Sequence, residues 1–317
     1  MPRTAAVDCG TNSIRLLVTD VDPDAGTQVD LDRRMTVVRL GEGVDATGRL
    51  SEAALARTLA AVEAYAAVVA DLGAERVRFV ATSASRDADN AAEFVTGVRD
   101  RLGVEPEVVP GAEEAELSFL GATRELAGRV PGPFCVVDLG GGSTEVVVGD
   151  VVAGTPAVAA SRSVDVGCVR LTERHLHDDP PGPEQEAAAR ADVRAALDEV
   201  ELTVDLTGVR TLVGLAGSVT TVAAETLGLT AYEPERIHGS EHALADALAA
   251  CDRLLHADRA ARAGRGFMHP GRVDVIGAGA LVWQEVLQRV ALRSGVTTVR
   301  VSEHDILDGI AWSVAHG

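Results

Sequence analysis

Residues 134–150, FCVVDLGGGSTEVVVGD, constrain the fold of this chain more than any other segment. Valines at 136–137 and 146–148 favour strands, so the glycines between them must reverse the chain. Glycine permits positive φ and lets an anion approach backbone N–H groups. Asp138 and Glu145 flank the turn, and carboxylates beside such a turn imply a bridging Mg²⁺. The segment predicts a phosphate-binding hairpin whose turn is Gly140, Gly141, Gly142 and Ser143.

The start of the chain repeats this pattern. Residues 4–9 predict a strand that contains Asp8, and residues 14–19 predict the returning strand. The turn between them comprises Gly10, Thr11, Asn12 and Ser13. One GGGS turn alone is more often an ordinary flexible hairpin, but two such turns about one domain apart favour phosphate binding. Walker and dinucleotide-binding loops lead from a strand into a helix, so both are disfavoured here.

Length and composition are compatible with two domains. A chain of 317 residues with 46% hydrophobic content can bury two cores of ordinary size. No stretch approaches the ~20 uncharged apolar residues of a membrane span, and the N-terminus lacks the apolar segment of a signal peptide. We therefore expect a cytoplasmic protein without membrane contacts. Four widely spaced cysteines without a CxxC pair predict reduced, buried thiols.

The net charge of −19 argues against nucleic-acid binding and is unfavourable for an anionic substrate. Screening weakens the second objection, because the Debye length is ~8 Å at physiological salt and local groups decide what a cleft binds. All 29 cationic side chains are arginine, which binds phosphate bidentately, although codon bias is the simpler explanation of this excess. The densest basic stretch predicts a solvated helix face more than a track for a polyanion. It contains Arg259, Arg262, Arg265 and Arg272.

The predicted elements follow the order βββαβαβα in each half. After the first hairpin, strands are predicted at 28–33, 35–40, 76–81 and 104–109, and helices from the Ser51 cap to Gly73, at 89–102 and at 112–126. The second half predicts strands at 134–138, 144–149, 157–164, 210–215 and 296–301, and helices at 184–200, 219–227, 242–255, 273–292 and from about 305. The turn-rich segment 129–133 predicts domains at 1–128 and 129–317, with the last helix free to pack back on the first domain.

Two such halves, each opening with a D-x-G turn, resemble the actin-like ATPase superfamily. The resemblance implies an α/β fold of two actin-like, ribonuclease H-like domains with an interdomain cleft, where both turns hold phosphate. A third motif, GLAGS at 214–218, passes from strand to helix and directs the N–H groups of Gly217 and Ser218 at the cleft. Alone it is a weak signal, since any strand-to-helix junction can carry such glycines.

Seven motifs along the chain together resemble the exopolyphosphatase / guanosine pentaphosphate phosphatase (Ppx/GppA) family in its short two-domain form. They are VDCGTNSIRLLV near the start, ATSASRDADNAAEFV at 81–95, VPGAEEAELSFLGA at 109–122, DLGGGSTE at 138–145, VGCVRLTE at 166–173, RIHG at 236–239 and GRVDVIGAGALVW at 271–283. Each motif is unspecific, but their order and spacing agree from end to end. The resemblance implies a Mg²⁺-dependent hydrolase of phosphorus-containing anhydrides. Its substrate is inorganic polyphosphate or guanosine pentaphosphate, the latter a link to the stringent response.

The resemblance also implies roles for individual residues. Glu114 corresponds to the base that orients and deprotonates the attacking water, and Glu113 takes this role if the local register differs by one. Arg86 corresponds to an arginine that clamps the terminal phosphate, although a surface arginine at a helix start is an equally good interpretation. The implied Mg²⁺ ligands are Asp138, Glu145 and, through water, Asp8.

Two functions of other classes stay open at this point. One is a small-metabolite kinase of the same superfamily, for which the sequence has no acceptor signature. The other is a sensor that binds polyphosphate or guanosine tetraphosphate without turnover, which the three acids disfavour. We expect the protein to lack the additional C-terminal domains of long family members, so processivity and substrate preference stay undecided. Relatives often form dimers, which leaves a homodimer open, but the sequence does not determine the oligomeric state.

Overall fold

The computed structural model describes residues 2–126, 128–152 and 154–315. The chain divides into two compact units. Unit 1 comprises Met1–Gly121 and Ile306–Gly317, and unit 2 comprises Ala122–Asp305. Each unit combines a mixed sheet with helices, which confirms the α/β class. The predicted domain ranges 1–128 and 129–317 refer to folding units, and they stay a prediction.

The sheet of unit 1 contains five strands among the described residues, in the order β3-β2-β1-β4-β5. These are β1 (Arg3–Cys9), β2 (Ser13–Asp22), β3 (Thr27–Val37), β4 (Arg76–Ala81) and β5 (Glu107–Val108). The central strand β1 pairs antiparallel with β2 and parallel with β4. Residues 4–9 are all buried because both faces of β1 are covered. The end of β1 therefore holds the first turn on a rigid strand.

The helices of unit 1 begin and end largely where the sequence predicts. They are α1 (Val44–Thr47), α2 (Glu52–Leu72), α3 (Ser83–Arg86), α4 (Ala91–Leu102) and α5 (Gly111–Thr123). Ser51 caps α2 by accepting a hydrogen bond from Ala54 N–H (3.2 Å), and Gly73 ends it with a φ of 67°. Among the described helices, α2 alone is long and apolar enough to span a membrane. Core helices of globular proteins can have the same length and hydropathy. Its buried face packs in the core of unit 1, beside Phe94 of α4.

Unit 2 is built on a six-stranded sheet in the order β10-β11-β9-β6-β7-β8, counted over the described residues. Its strands are β6 (Phe134–Leu139), β7 (Thr144–Val152), β8 (Thr155–Val164), β9 (Thr211–Leu215), β10 (Glu241–Ala243) and β11 (Thr298–Val301). Its helices are α6 (Cys168–Arg174), α7 (Pro183–Glu201), α8 (Ala216–Thr226), α9 (Pro234–Ile237), α10 (Leu244–His256), α11 (Arg259–Ala263) and α12 (Ile276–Ser294). Short 3₁₀ turns lie at Arg124–Leu126 and Pro270–Arg272.

The core of unit 2 centres on α12, which is buried over most of its length. Its Trp283 is 1% exposed and lies against Gly214 of β9, where a β-carbon would collide with the indole. The last helix, α13 (Ile306–Ala315), belongs to unit 1. There Ile306 and Ile310 pack with Leu17 of β2 in a small core.

Several predicted elements are wrong in detail. The two strands predicted at 28–33 and 35–40 are the single strand β3, which ends at Val37, because an exposed edge strand accommodates charged residues without a break. The strand predicted at 104–109 shrinks to β5, since Pro106 and Pro110 cannot donate to a ladder. The helix predicted at 112–126 ends at Thr123 and continues as a 3₁₀ turn.

The short helices were not predicted from the sequence. Helices of four to seven residues have too few turns to show a 3.6-residue periodicity. They are α1, α3, α6, α9 and α11. Helix α8 begins at Ala216, three residues before the predicted start at 219. This shift places Gly217 and Ser218 inside the first helical turn.

Candidate active site

The turn between β1 and β2 contains the residues of the predicted first phosphate loop, Gly10 to Ser13. Gly10 N–H donates to Ser13 O at 3.0 Å and closes the turn. Backbone N–H groups within 38–41 donate to the carbonyls of Thr11 and Asn12 at 2.9 to 3.0 Å. A trans peptide directs its N–H opposite to its C=O, so these bonds turn the following N–H groups away from 38–41. Such outward N–H groups can bind an anion.

The turn between β6 and β7 contains the predicted second phosphate loop and closes with the same hydrogen bond. Gly140 N–H donates to Ser143 O at 3.0 Å. The first N–H groups of α6 donate to the carbonyls of Gly140 and Gly141 at 2.8 to 3.1 Å, and Arg170 Nε donates to Gly142 O at 2.7 Å. The carbonyls thus face α6, and the N–H groups that follow them face the other way. Arg170 holds the loop in this orientation.

The acids beside the second loop face each other across the sheet. Asp138 of β6 and Glu145 of β7 are cross-strand partners, and both are buried. Glu145 also accepts a hydrogen bond from Ser163 Oγ at 2.6 Å. Like charges directly opposite on two strands are unfavourable, so the pair favours a cation between or beside the carboxylates.

The acid beside the first loop has a different partner. Arg15 of β2 lies opposite Asp8 of β1, and its Nη2 and Nε donate to Asp8 Oδ2 at 2.6 and 3.0 Å. The carboxylate of Asp8 is therefore neutralised by a guanidinium of the same unit. Binding of Mg²⁺ by Asp8 through water stays a prediction. If it occurs, the water must reach the carboxylate while Asp8 is paired with Arg15.

The two candidate bases lie in the first turn of α5 and have different partners. Glu114 is 8% exposed, and its Oε2 accepts a hydrogen bond from Arg86 Nη1 at 3.2 Å. Arg86 Nη1 also donates to Val109 O at 3.0 Å, which orients the guanidinium. Glu113 instead pairs with Arg78, whose Nη2 lies 2.6 Å from Glu113 Oε1. The structure thus brings Arg86 to Glu114 and commits Glu113 to another cation.

The donor set suits a hard divalent cation. Asp138 and Glu145 offer carboxylate oxygens, which Mg²⁺ prefers as ligands. In the first loop, the buried Asn12 Oδ1 has no hydrogen-bond partner among the described residues. A buried acceptor without a donor is costly unless it meets a cation, water or ligand. Within unit 2, Asp138 and Glu145 therefore fit Mg²⁺, and within unit 1 Asn12 Oδ1 is an acceptor for a cation, water or ligand.

The third loop lies at the start of α8. Gly217 and Ser218 occupy its first turn, where backbone N–H groups have no intrahelical acceptor and the helix dipole favours anions. The guanidinium of Arg272 lies directly against Gly217. A β-carbon at this position would collide with it. Arg272 Nη1 also lies 3.5 Å from Thr221 Oγ1, a long hydrogen bond. A cation at a helix N-terminus opposes the dipole, and an anion bound there would offset this repulsion.

Sequence reasoning missed Arg272 as a candidate site residue because it was grouped with a basic stretch. The rest of that stretch is engaged elsewhere: Arg262 pairs with Asp179 and Arg265 pairs with Glu225. Arg262 is only 5% exposed, so the solvated helix face predicted there is wrong for this residue. Arg259 pairs with Asp274 at 2.8 Å. The position of Arg272 inside a family-like motif was the signal that could have separated it from its neighbours.

Comparisons with known proteins agree with the resemblance that the motifs indicate. The model of the Ppx/GppA phosphatase family matches residues 18–313. The chain belongs to this family. Exopolyphosphatase 2 of Mycobacterium tuberculosis is 50% identical over 322 residues, which cover 99% of this chain and 99% of that protein. Guanosine-5'-triphosphate,3'-diphosphate pyrophosphatase of Photobacterium profundum is 34% identical over 219 residues, which cover 69% of this chain and 42% of that protein.

Solved structures of similar proteins agree with this membership. The crystal structure of an exopolyphosphatase-like protein has a TM-score of 0.94 and 43% identity, and covers 99% of both chains. The Ppx/GppA enzyme of Aquifex aeolicus has a TM-score of 0.79 and 30% identity, with 98% of this chain and 99% of that one covered. Ppx/GppA proteins have actin-like two-domain folds, which confirms the predicted fold class. Members of the family generally depend on a divalent metal.

The Ppx/GppA residues predicted from the sequence fall into two groups, one for each unit. Unit 1 holds the first loop with Asp8, and the pair of Arg86 and Glu114. Unit 2 holds the second and third loops with Asp138 and Glu145. Within each unit, the predicted phosphate-binding turns lie at strand ends, as the family resemblance implies.

Proposed function

We propose that this Ppx/GppA phosphatase is an exopolyphosphatase, which hydrolyses the terminal phosphoanhydride bond of inorganic polyphosphate and releases orthophosphate. The observation that carries the proposal is the buried Glu114 carboxylate, 3.2 Å from the guanidinium of Arg86. A base beside a phosphate-binding cation is what water-dependent cleavage of an anhydride requires. The end-to-end similarity to exopolyphosphatase 2, at 50% identity, supports the choice of substrate.

Unit 1 supplies the proton acceptor in this proposal. Glu114 orients a water and accepts its proton as the water oxygen forms a bond to the terminal phosphorus. The bond from that phosphorus to the bridging oxygen breaks, and the shortened polyphosphate leaves with the electron pair. Arg86 pairs with Glu114 and donates to the terminal phosphate, so one guanidinium positions both the base and the phosphate that the water attacks.

Unit 2 supplies most of the anion binding. The N–H groups of the second and third loops donate to phosphate oxygens, and Arg272 adds a positive charge beside Gly217. Asp138 and Glu145 would hold Mg²⁺, with Asp8 contributing through water. When bound, Mg²⁺ neutralises phosphate charge, including the charge that builds up during the reaction.

Guanosine pentaphosphate is the second candidate substrate. The similarity to the Photobacterium profundum pyrophosphatase favours it, but that match spans only 42% of the relative. Both substrates present the same terminal phosphate, so the phosphate loops alone do not separate them. We also propose that the protein is cytoplasmic, uses Mg²⁺ and forms a homodimer, and that it binds neither nucleic acid nor membranes.

A substrate comparison tests the proposal. Purified protein with Mg²⁺ is incubated with long polyphosphate, short polyphosphate or guanosine pentaphosphate, and released orthophosphate is measured over time. We expect kcat/KM to be highest with polyphosphate, and its dependence on chain length to report processivity. Faster release from guanosine pentaphosphate would assign the second function. Absence of release from all three, in the presence of tight binding, would assign a sensor instead.

A further inference from the structure

Three side chains of unit 2 form a cluster of metal-ligand type that the phosphate loops do not use. Glu125 lies in the 3₁₀ turn after α5, His238 directly follows α9, and His304 lies between β11 and α13. A ligand atom of each, a carboxylate oxygen or an imidazole nitrogen, lies within 4.8 Å of the others. All three residues belong to one compact unit, so its internal packing fixes their arrangement.

The distances in this cluster match the edges of a small coordination shell. Glu125 Oε2 lies 3.0 Å from His238 Nε2, and Glu125 Oε1 lies 3.4 Å from His304 Nδ1. A tetrahedral zinc ion with bonds of about 2.0 to 2.1 Å separates its ligand atoms by about 3.3 Å. Both separations are close to this value, but they involve different oxygens of Glu125. The carboxylate would therefore bind zinc through both oxygens or turn one oxygen toward both rings.

The cluster is also accessible. The side chains of Glu125, His238 and His304 are 47%, 32% and 30% exposed, so an ion can enter from solvent. The two imidazole rings lie with their centroids 4.5 Å apart. Two neutral imidazole rings at this separation can each offer a nitrogen lone pair to one cation. The carboxylate supplies a negative charge beside them.

A backbone hydrogen bond limits the affinity of His238 for an ion. Glu303 N–H donates to His238 Nδ1 at 3.2 Å, so without metal the ring proton resides on Nε2 and bonds to Glu125. A cation at Nε2 displaces this proton, and the bond from Glu303 must weaken if the proton moves to Nδ1. We therefore expect weaker binding than at a structural zinc site whose ligands are preorganised, and binding that competes with protons.

We propose that Glu125, His238 and His304 bind a divalent transition metal, best matched by Zn²⁺, at a site separate from the Mg²⁺ ligands. Imidazole nitrogen with a carboxylate oxygen suits Zn²⁺, whereas Mg²⁺ prefers oxygen ligands throughout. The ion joins three segments that are far apart in the sequence, so its binding stabilises the folded state of unit 2. The proposal does not depend on the substrate assignment.

Zinc binding to the metal-free, full-length protein tests the site. Isothermal titration calorimetry with Zn²⁺ alone should detect one equivalent in the wild type that is lost in His304→Ala and in Glu125→Gln. Anomalous scattering at the zinc edge should place that ion between the three side chains. Glu125→Gln nearly preserves side-chain size, and circular dichroism checks that both variants are folded.

The matched control is His177→Ala, which removes an exposed histidine outside the cluster and should retain the full equivalent. Other carboxylates can also bind zinc, so the measure is the difference between the wild type and the cluster variants. Equal zinc uptake by all four proteins, or an anomalous peak only at other residues, overturns the proposal.

Discussion

The first and second phosphate loops share one backbone design but differ in the residue that faces their aspartate. Both close with a glycine N–H to serine O bond of 3.0 Å. Across the sheet, Asp8 faces Arg15, whereas Asp138 faces Glu145. The first loop thus lies beside a cation of the protein, Arg15. The second lies beside two acids, which favour a cation from solution. A single cross-strand position, Arg15 in one hairpin and Glu145 in the other, therefore places opposite charges beside the two aspartates.

The two loops are also held in place differently. In unit 1, the carbonyls of the loop accept hydrogen bonds from the irregular segment 38–41. In unit 2, they accept from the N-terminus of α6 and from Arg170. Both supports turn the loop N–H groups outward. The comparison suggests a test of two proposed roles, the loop backbone for phosphate binding and the cross-strand residue for metal binding.

The largest expected effect concerns the proton acceptor, which we place in unit 1 alone. Glu114→Gln removes the base, and general base catalysis contributes about 10²- to 10⁴-fold, so kcat with polyphosphate should fall by about that factor. Glu113→Gln is the matched control, because Glu113 pairs with Arg78, and it should change kcat by less than about threefold. Activity of Glu114→Gln within tenfold of the wild type, with the fold intact by circular dichroism, contradicts the assignment.

The next effect tests the electrostatic difference between the loops. Asp138→Asn should raise the Mg²⁺ concentration for half-maximal activity by about 10- to 100-fold, the scale seen when groups that support a metal are removed. Asp8→Asn should raise it by only a few-fold, because Arg15 already neutralises Asp8. Titration of activity with Mg²⁺ measures both. Equal shifts in the two variants would remove the proposed distinction between the loops.

A smaller effect concerns the third loop, which we assign to unit 2 only. Gly217→Ala places a β-carbon against the Arg272 guanidinium, so the arginine must move away from the helix N-terminus. We expect the KM for polyphosphate to rise about tenfold, equivalent to about 1.4 kcal/mol of binding, with a smaller change in kcat. Gly208→Ala adds the same atom in open space and should leave KM unchanged. An unaltered KM in Gly217→Ala argues against phosphate binding at this loop.

The smallest effect compares the long helices of the two units. Ser51→Ala removes the side-chain cap of α2 and should lower the free energy of unfolding of unit 1 by about 1 kcal/mol. Gly182, the corresponding position before α7, makes no side-chain cap bond, so Gly182→Ala should change stability by about 0.5 kcal/mol or less. Urea unfolding followed by native-state hydrogen exchange measures each helix separately. Equal losses at both sites would mean that the cap contributes nothing specific.

The sequence predicted those parts of the site that depend on local chemistry. Glycine turns between β-branched runs identified the first two loops, and the Ser51 cap with Gly73 identified α2 to within a residue. These signals are readable because neighbouring residues alone determine the turn or the cap. The separate roles of Glu114 and Arg86 were implied by family resemblance, whereas their pairing within unit 1 is seen only in the structure.

The parts that the sequence did not predict depend on tertiary contacts. Segment 38–41 orients the first loop through backbone bonds that no side-chain pattern encodes. Arg272 reaches Gly217 from 55 positions away, and its neighbours in the basic stretch pair with other acids instead. Glu125 and His304 are almost 180 positions apart and share no local motif. Contacts of this kind follow only from the assembled sheet and helices.

The return of α13 to unit 1 has a consequence for protein synthesis. Unit 2 is one continuous stretch, so its segments are all available before the last helix leaves the ribosome. Unit 1 lacks Ile306 and Ile310 until then, so the small core that they share with Leu17 and Leu117 stays incomplete during translation. The unit that is translated first therefore needs the end of the chain to complete its packing.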